Sequence, residues 1–279
     1  MNSYAYYNGK FGKKEDISIP LSDRSIFFGD AVYDAAIGSY DRILWEEEHI
    51  DRFLTNAEKL GINHSYTKSC LSALLREIGV KSMIKTYFLY FQLSRDRKER
   101  NHSAKNATSN LLITIDPIEI NRNSRPLKLI TVKDIRYALC NIKTTNLLPA
   151  VLASTKADIL GYDEAIFVRG SIVTECSKSN IAIIKQGRVI THPKSNRILP
   201  GISREHLGLI CNELSIPFIE EKFSVLDMMN ADEILVTSTG KLCKKASIIN
   251  NVSVGGKAPY LSNLICDRLY LEYLNFCQI

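Results

Sequence analysis

Lys143 lies in the segment CNIKTTNLLPA, where its neighbours Ile142, Leu147 and Leu148 are apolar. Such neighbours can take an amine partly out of water, and desolvation lowers the pKa of an amine because burial penalises the charged form. A neutral lysine amine can form a Schiff base with a carbonyl group. The segment therefore favours a nucleophilic lysine, and the plainer alternative is a solvated surface group.

Three further segments carry groups that suit a phosphate. Gly201-Ile202-Ser203 comes directly before an amphipathic helical pattern, and the free N–H groups of a helix N-terminus bind anions. The segment Thr237-Ser238-Thr239-Gly240 follows a strand pattern and offers hydroxyl and N–H donors at its end. Arg52 lies outside the apolar face of another helical pattern and carries a guanidinium fork. Taken singly, these features also fit an N-cap serine, a polar turn and a surface arginine.

Acidic and basic side chains supply the remaining candidates. Glu175, in VTECSKSN, is a carboxylate at the end of a short apolar strand pattern. Residues 95–100 are the densest basic cluster, but they include acids and no aromatic residues, which disfavours a nucleic-acid surface. Arg100 and His102 could instead bind a carboxylate, because an arginine fork matches that group. The alternatives are a surface acid and a solvated loop.

The composition predicts a globular protein of one or two domains. The chain has 279 residues, of which 45% are hydrophobic and 24% charged, and its net charge is +6. No apolar run reaches the ~18 residues of a membrane span, and the N-terminus has no apolar signal core. We therefore expect a cytoplasmic protein whose partners include neither a membrane nor nucleic acid.

The cysteines and histidines predict neither a disulfide framework nor a metal site. The seven cysteines are odd in number and contain no CxxC pair. The five histidines show no HxxxH or HExxH spacing. We expect reduced thiols and no catalytic metal.

Hydrophobic periodicity predicts helices and short strands throughout. In the first part, strands are expected at 86–94 and 110–116, and helices at 46–60 and 68–78. In the second part, strands are expected at 127–132, 164–169, 172–175, 180–185, 188–192 and 233–237, and helices at 148–160, 203–214 and 258–276. Residues 185–188, Lys-Gln-Gly-Arg, predict a hairpin turn.

A change of pattern near residue 120 predicts two domains. The polar segment 118–126 ends in Pro126 and is the best linker candidate. We expect an N-terminal α+β domain over residues 1–119 and a C-terminal mixed α/β domain over residues 120–279, the latter carrying Lys143.

The order and spacing of these segments resemble the fold-type IV enzymes that use pyridoxal 5'-phosphate (PLP), the class IV aminotransferases. The resemblance covers nearly the whole chain and is densest at DIRYALCNIKTTNLLPAVLA (134–153), YDEAIFVRGSIVTECSKSN (162–180) and THPKSNRILPGISRE (191–205). FFGDAVYD (27–34) and EHIDRF (48–53) match in the first half. Within this family the chain is most similar to the D-amino acid aminotransferases.

The resemblance implies a two-domain mixed α/β fold whose active site lies at the domain and subunit interface. Lys143 would carry PLP and, once freed by a substrate amine, would move a proton between substrate and cofactor. Glu175 would contact the pyridine nitrogen and keep it protonated. The phosphate would be held by Arg52, Ile202, Ser203, Ser238 and Thr239, and one face of the ring would be covered by Leu199.

The resemblance also implies the substrate and a homodimer. In the family, the substrate α-carboxylate is bound by a tyrosine of one subunit and by an arginine and a histidine of the other, and the matching residues are Tyr33, Arg100 and His102. The R-x-H spacing distinguishes D-amino acid enzymes from branched-chain L-enzymes. The implied reaction converts a D-alanine-like donor and a 2-oxoglutarate-like acceptor into pyruvate and D-glutamate.

Several residues depart from the family pattern. Asp34 and Ile37 stand where the family tends to have glutamate and lysine. Cys176 and Lys178 interrupt a serine run, and Gly240 replaces a threonine. These departures leave the preferred donor and acceptor open.

Three alternatives remain, two of them enzymes on the same fold. An aminodeoxychorismate lyase and a branched-chain L-aminotransferase are both disfavoured by Arg100 and His102. The third, from a different class, is a non-catalytic PLP-binding or scaffold protein, which is disfavoured by the presence of Lys143 and Glu175.

Overall fold

The computed structural model describes residues 3–96, 99–122 and 125–278. Residues 97–98 of the basic cluster and residues 123–124 of the expected linker lie outside the described residues, as do both chain ends. The chain forms two compact units. Unit 1 contains Met1–Ile120, Ile142–Asn146 and Phe276–Ile279, and unit 2 contains Asn121–Asn141 and Leu147–Asn275.

The segment that carries Lys143 packs with unit 1, whereas the sequence pattern grouped it with the C-terminal part. Backbone hydrogen bonds explain the difference, because the amide of Tyr33 donates to the carbonyl of Lys143 at 2.9 Å and the amide of Thr145 donates to that of Ala31 at 3.1 Å. The expected boundary between an N-terminal domain (1–119) and a C-terminal domain (120–279) stays a prediction.

Unit 1 is built on a six-stranded antiparallel sheet of order β2-β1-β6-β5-β3-β4. Its strands are β1 (Tyr4–Tyr7), β2 (Lys10–Lys13), β3 (Ala31–Ser39), β4 (Arg42–Ile43), β5 (Thr86–Asp96) and β6 (Thr108–Pro117). Its helices are α1 (Arg24–Phe28), α2 (Glu46–Lys59) and α3 (Lys68–Ser82), and residues 14–16 form one 3-10 turn. The predicted helices and strands of this part are confirmed.

The core of unit 1 lies between this sheet and helices α2 and α3. Helix α2 buries Ile50, Phe53 and Ala57, which share one face at helical spacing. Strand β5 buries Leu89 and Phe91, and the Phe53 and Phe91 rings meet edge to face at 4.8 Å.

The ring of Tyr87 in β5 is enclosed by two glycines. A Cβ atom at Gly38 of β3 would lie 2.1 Å from the Tyr87 ring, and one at Gly79 of α3 would lie 2.0 Å from its hydroxyl oxygen. The Tyr87 hydroxyl donates to the carbonyl of Tyr40 at 2.9 Å. Both glycines are therefore required by close packing.

Unit 2 contains a nine-stranded mixed sheet of order β12-β11-β10-β13-β14-β7-β8-β9, with β15 paired to β14. The strands are β7 (Leu127–Lys133), β8 (Glu164–Arg169), β9 (Ile172–Cys176), β10 (Asn180–Lys185), β11 (Arg188–Thr191), β12 (Phe218–Glu220), β13 (Glu233–Ser238), β14 (Leu242–Ile249) and β15 (Val252–Ser253). The helices are α4 (Leu148–Ile159), α5 (Ile202–Glu213), α6 (Val225–Met229) and α7 (Pro259–Cys277), of which α7 ends in unit 1.

The elements predicted for the second part are also confirmed. The β10–β11 hairpin turns at Gln186 (φ 53°) and Gly187 (φ 73°), two positive φ angles of the kind that tight hairpins need. Helix α5 packs against β13 and β14, and α4 packs its alanines against β8. Within the described residues, no helix combines the length and apolar character needed to cross a membrane.

The substitution Gly38→Ala is expected to destabilise the protein. The new Cβ would overlap the buried Tyr87 ring, which cannot shift without weakening its hydrogen bond to Tyr40. We expect a loss of about 1–3 kcal/mol in the free energy of unfolding, measured by denaturant titration. Gly12→Ala is the matched control, because its Cβ would meet only Ile17 at an ordinary 3.8 Å. Equal losses in the two variants would contradict the packing argument.

Candidate active site

Lys143 is half-buried and lies over an aromatic ring of unit 1. Its Nζ is 4.4 Å from the ring centroid of Tyr33. The Tyr33 ring in turn stacks on Tyr90, with centroids 5.2 Å apart. Burial raises the pKa of Tyr90, so its phenol stays protonated and donates to Gln92 at 2.6 Å. The amine is thus held beside a rigid pair of rings.

Asp34, the residue after Tyr33, is completely buried and orients Arg52. Nε and Nη2 of Arg52 donate to the two carboxylate oxygens of Asp34, each at 2.7 Å. The ring Nδ1 of His49 lies 2.8 Å from the same carboxylate. A guanidinium held by two parallel bonds has a fixed plane, so the structure gives Arg52 one orientation.

The charges in this cluster follow from burial and pairing. Burial alone would raise the pKa of Asp34, but Arg52 and His49 outweigh it and hold that pKa well below its usual value. Burial lowers the pKa of His49, so its ring is neutral at pH 7 and donates from Nδ1. Position 34 departs from the family pattern but still provides a carboxylate, which neutralises the partly buried Arg52.

Glu175, at the end of β9 in unit 2, is buried among hydrogen-bond donors. Nη1 of Arg136 forms a close ion pair with it, Nδ2 of Asn180 donates at 3.1 Å, and the amide of Leu199 donates at 2.9 Å. The carboxylate is therefore fixed in position by partners from three segments.

Arg136 was not among the residues predicted from sequence. It also pairs with Asp134 at 3.1 Å, and its guanidinium lies 4.2 Å from the ring centroid of Phe167. Burial alone would lower the pKa of Arg136, but Glu175 and Asp134 outweigh it and raise that pKa above its usual value. The one available signal was the acid–x–base spacing of Asp134 and Arg136 directly after a strand.

The N-terminus of helix α5 has the features of an anion site. The first bond of the helix runs from the amide of Glu205 to the carbonyl of Gly201 at 3.0 Å, so the amides of residues 202–204 have no acceptor within the helix. The hydroxyl of Ser203 is buried and has no partner among the described residues. An unpaired buried hydroxyl beside such amides fits a phosphate oxygen. The side chain of Ile202 is buried, which leaves its amide as the available group.

Gly201 allows this helix to approach Glu175. A Cβ at Gly201 would lie 2.1 Å from Oδ1 of Asn180, the residue that donates to both Glu175 and the carbonyl of Leu199. The glycine therefore couples the start of α5 to the carboxylate.

Ser238 and Thr239 lie at the end of β13, close to Asn180. Asn180 pairs with Thr237 in the β10–β13 ladder, and the amide of Lys241 closes the following turn on the carbonyl of Ser238 at 3.1 Å. The unit 2 candidates Glu175, Leu199, Ile202, Ser203, Ser238 and Thr239 thus lie on neighbouring elements.

An ion pair between a partly exposed lysine and a buried glutamate stabilises this turn. Nζ of Lys241 lies 2.6 Å from Glu164, whose carboxylate also accepts from the Ser179 hydroxyl at 2.6 Å and the Lys178 amide at 2.9 Å. Lys178, which interrupts the serine run of the family, contributes its backbone amide to Glu164, while its side chain is exposed. Glu164 and Lys241 were not predicted from sequence. In the sequence, Glu164 looks like any acidic residue at the end of a strand, and Lys241 like any lysine in a turn.

Arg100 and His102 lie with helix α1 and not with Tyr33. The Arg100 guanidinium is 5.1 Å from the ring centroid of Phe28, and the His102 ring is 5.3 Å from the same ring. Tyr33 lies instead with Tyr90 and Lys143.

The structure adds one observation on metals. Among the residues that it describes, no group of three or more histidine, cysteine, aspartate or glutamate side chains is arranged to hold a metal ion.

The comparisons with known sequences agree on one family. The family described as Amino-transferase class IV matches residues 31–248. A D-alanine aminotransferase of Staphylococcus epidermidis is 37% identical over 239 residues, covering 84% of each chain. A D-alanine aminotransferase of Listeria monocytogenes is 34% identical over 265 residues, covering 92% of each chain.

Solved structures show the same fold. A branched-chain aminotransferase of Thermoproteus uzoniensis with norvaline matches with a TM-score of 0.87 at 19% identity, over 99% of this chain and 97% of that one. A branched-chain amino acid aminotransferase from T.th., in complex with N-(5'-phosphopyridoxyl)-L-glutamate, matches with a TM-score of 0.86 at 18% identity, over 98% and 96%. The mixed α/β fold is that of the fold-type IV aminotransferases, and the chain belongs to the amino-transferase class IV family.

Proposed function

We propose that the protein transfers the amino group of a D-amino acid of the D-alanine type to a 2-oxo acid of the 2-oxoglutarate type, giving pyruvate and D-glutamate. The observation that carries this proposal is the identity of 34–37%, over 84–92% of the chain, with relatives that are D-alanine aminotransferases. The branched-chain enzymes match at 18–19% identity and support the fold alone. Arg100 and His102 supply the R-x-H pair that the proposal needs.

The cofactor is PLP, which when bound supplies a ring that withdraws electrons from the substrate Cα. The donors at the start of α5 and after β13 suit its phosphate, since the buried Ser203 hydroxyl lacks a partner among the described residues. Glu175 suits the ring nitrogen, because a carboxylate stabilises a protonated nitrogen. The proposed contacts are Arg52, Ile202, Ser203, Ser238 and Thr239 for the phosphate, Glu175 for the nitrogen and Leu199 for one ring face.

Lys143 is proposed to bind the cofactor covalently and to move the proton at the substrate Cα. An amine placed beside its target acts as general base and then as general acid. The position of Nζ over the Tyr33 ring supports this role, since the ring limits the directions in which the amine can move. The enantiomer would be selected by the side on which the substrate carboxylate is bound.

The substrate carboxylate is proposed to be bound by Tyr33 of one subunit and by Arg100 and His102 of the other, in a homodimer. The support is that, within one chain, these residues lie in two places. Tyr33 stacks on Tyr90, whereas Arg100 and His102 lie against the ring of Phe28. A cytoplasmic location is proposed as well, supported by seven cysteines that are all free thiols.

The proposed reaction predicts a specific pattern of amino donors. With 2-oxoglutarate as acceptor, D-alanine is expected to give pyruvate and D-glutamate, while L-leucine and L-valine give little product. Coupled assays for pyruvate and chiral chromatography of glutamate measure both products. Activity confined to the L-donors would overturn the proposal, and pyruvate released from aminodeoxychorismate without transamination would identify a lyase.

The Ser203 hydroxyl provides a test of the phosphate site. We expect Ser203→Ala to weaken PLP binding by about tenfold, the value of one lost hydrogen bond to a charged group. The stability of the cofactor-free protein should not fall, because an unpaired buried hydroxyl is removed. PLP titration and thermal unfolding with and without PLP measure the two effects.

Ser39→Ala is the matched control for this test. Its hydroxyl is also buried without a partner among the described residues, but it lies at the end of β3, remote in sequence from α5. PLP affinity that stays unchanged in Ser203→Ala, or that falls equally in Ser39→Ala, would refute the assignment.

Complementation tests whether each site uses two subunits. Lys143→Ala and Arg100→Ala homodimers are expected to be inactive or nearly so with D-alanine. After subunit exchange between the two variants, a mixed dimer contains one site with both residues intact, so about a quarter of the wild-type activity should return. Lys59→Ala, an exposed lysine at the end of α2, should keep full activity. No recovery in a mixture with demonstrated exchange would contradict a shared site.

A further inference from the structure

Arg24, the first residue of helix α1, is buried and holds the loop that carries Arg100 and His102. Its Nη2 donates to the carbonyl of His102 at 2.9 Å, and its Nη1 makes a close hydrogen bond to the carbonyl of Asn101. Only 5% of its side chain is exposed. One guanidinium therefore fixes two consecutive carbonyl groups, one between the proposed carboxylate-binding residues and one at the second of them.

Phe28, at the other end of α1, contacts the side chains of the same loop. The Arg24 guanidinium lies 4.4 Å from the Phe28 ring centroid, that of Arg100 lies at 5.1 Å, and the His102 ring centroid lies at 5.3 Å. A cation over an aromatic face is attracted by the ring quadrupole, and this attraction limits where the Arg100 guanidinium can lie.

Helix α1 is itself anchored on both sides. Its N-cap residue Asp23 is buried and accepts from the Ser94 hydroxyl at 2.7 Å and from Asn110 at 2.9 Å. Asp30, just after the helix, accepts from Nε of Arg24 at 2.7 Å. The short helix is thus a rigid support for the loop.

We propose that Arg24 and Phe28 are positioning residues that hold Arg100 and His102 in the geometry needed to bind the substrate carboxylate and to select the D-enantiomer. The effect on the choice of enantiomer rests on the proposed function, whereas the claim that Arg24 and Phe28 hold the loop in one conformation does not. Arginine is required at position 24 because its fork donates in three directions, to Asp30 and to two carbonyls, and lysine cannot reproduce that planar geometry.

The decisive variants are Arg24→Met and Phe28→Leu, studied as full-length, PLP-loaded protein. The KM for D-alanine should rise about tenfold or more while kcat changes less, and the ratio of kcat/KM for D-alanine over L-alanine should fall by a similar factor. General damage to the fold would lower both enantiomers together and leave that ratio unchanged. Arg24→Lys should recover only part of the ratio, since its ammonium can keep the ion pair with Asp30 but cannot bind both carbonyls as well.

Arg95→Met is the matched control, because it removes the other arginine that pairs with Asp30, one that donates to the carbonyl of Leu60, and leaves all three bonds of Arg24 in place. Its melting temperature can fall, but its D/L ratio should stay at the wild-type value. If Arg24→Met does not fold, the comparison of Arg24→Lys with Arg95→Met decides the question. A D/L ratio and a KM that remain at wild-type values in the Arg24 variants would overturn the proposal.

Hydrogen exchange of residues 99–107 tests the support independently of turnover. The amides of Ser103 and Ala107 are hydrogen-bonded within this exposed loop, at 3.0 and 3.1 Å, so they should exchange more slowly in the wild type than the amides of an unstructured peptide. Arg24→Met should speed their exchange about tenfold or more, and Arg95→Met should not. Unchanged exchange would refute the positioning role. Faster exchange in a protein that does not act on D-alanine would refute the proposed function and retain the support.

Discussion

The register in which residues 142–146 pair with the start of β3 determines where Lys143 lies. Two backbone hydrogen bonds fix this register, one between Tyr33 and Lys143 and one between Thr145 and Ala31. Because these bonds hold the backbone at Lys143 and at Thr145, a shift in the pairing would move the Lys143 side chain away from the Tyr33 ring. In β3 itself, side chains alternate between the two faces of the sheet, so Asp34 points away from the face of Tyr33 and its carboxylate meets Arg52 of α2. One backbone alignment therefore sets both the amine and the guanidinium.

Buried charges are neutralised separately within each unit. Asp34 is paired with Arg52 in unit 1, and Glu175 with Arg136 in unit 2. An isolated ion transferred to a protein interior costs several kcal/mol, and here each buried carboxylate has its arginine partner within its own unit. The polar groups are then already oriented when a ligand arrives, which is the arrangement that makes electrostatic stabilisation effective in enzymes.

The sequence predicted the elements whose apolar residues follow a clear period, and it failed where polar residues interrupt that period. Strand β3 was missed because Tyr33 and Asp34 stand among its apolar residues, although Asp34 is buried through ion pairing. Strand β14 was missed because Lys244 and Lys245 divide its apolar residues.

The predicted site residues could be chosen only because their order resembles a known family. The supporting residues Arg24, Arg136 and Glu164 could not be found in this way, since their roles depend on partners distant in the sequence. Arg24, for example, lies 77 and 78 positions from the residues whose carbonyls it binds. Long-range pairing of this kind has no local pattern.

The path of the chain between the two units limits how the protein can be divided or recombined. The chain leaves unit 1 after Ile120, returns for residues 142–146 and leaves again at Leu147. A gene fragment ending at residue 120 encodes the strand that Lys143 pairs with but not the lysine, and the remaining fragment encodes the lysine without that strand. A chimaera made by one exchange near residue 120 therefore joins a lysine segment from one parent to a β3 from the other. The backbone bonds between these segments do not depend on residue type, so the side-chain contact of Lys143 with the residue at position 33 is the one that the two parents must share.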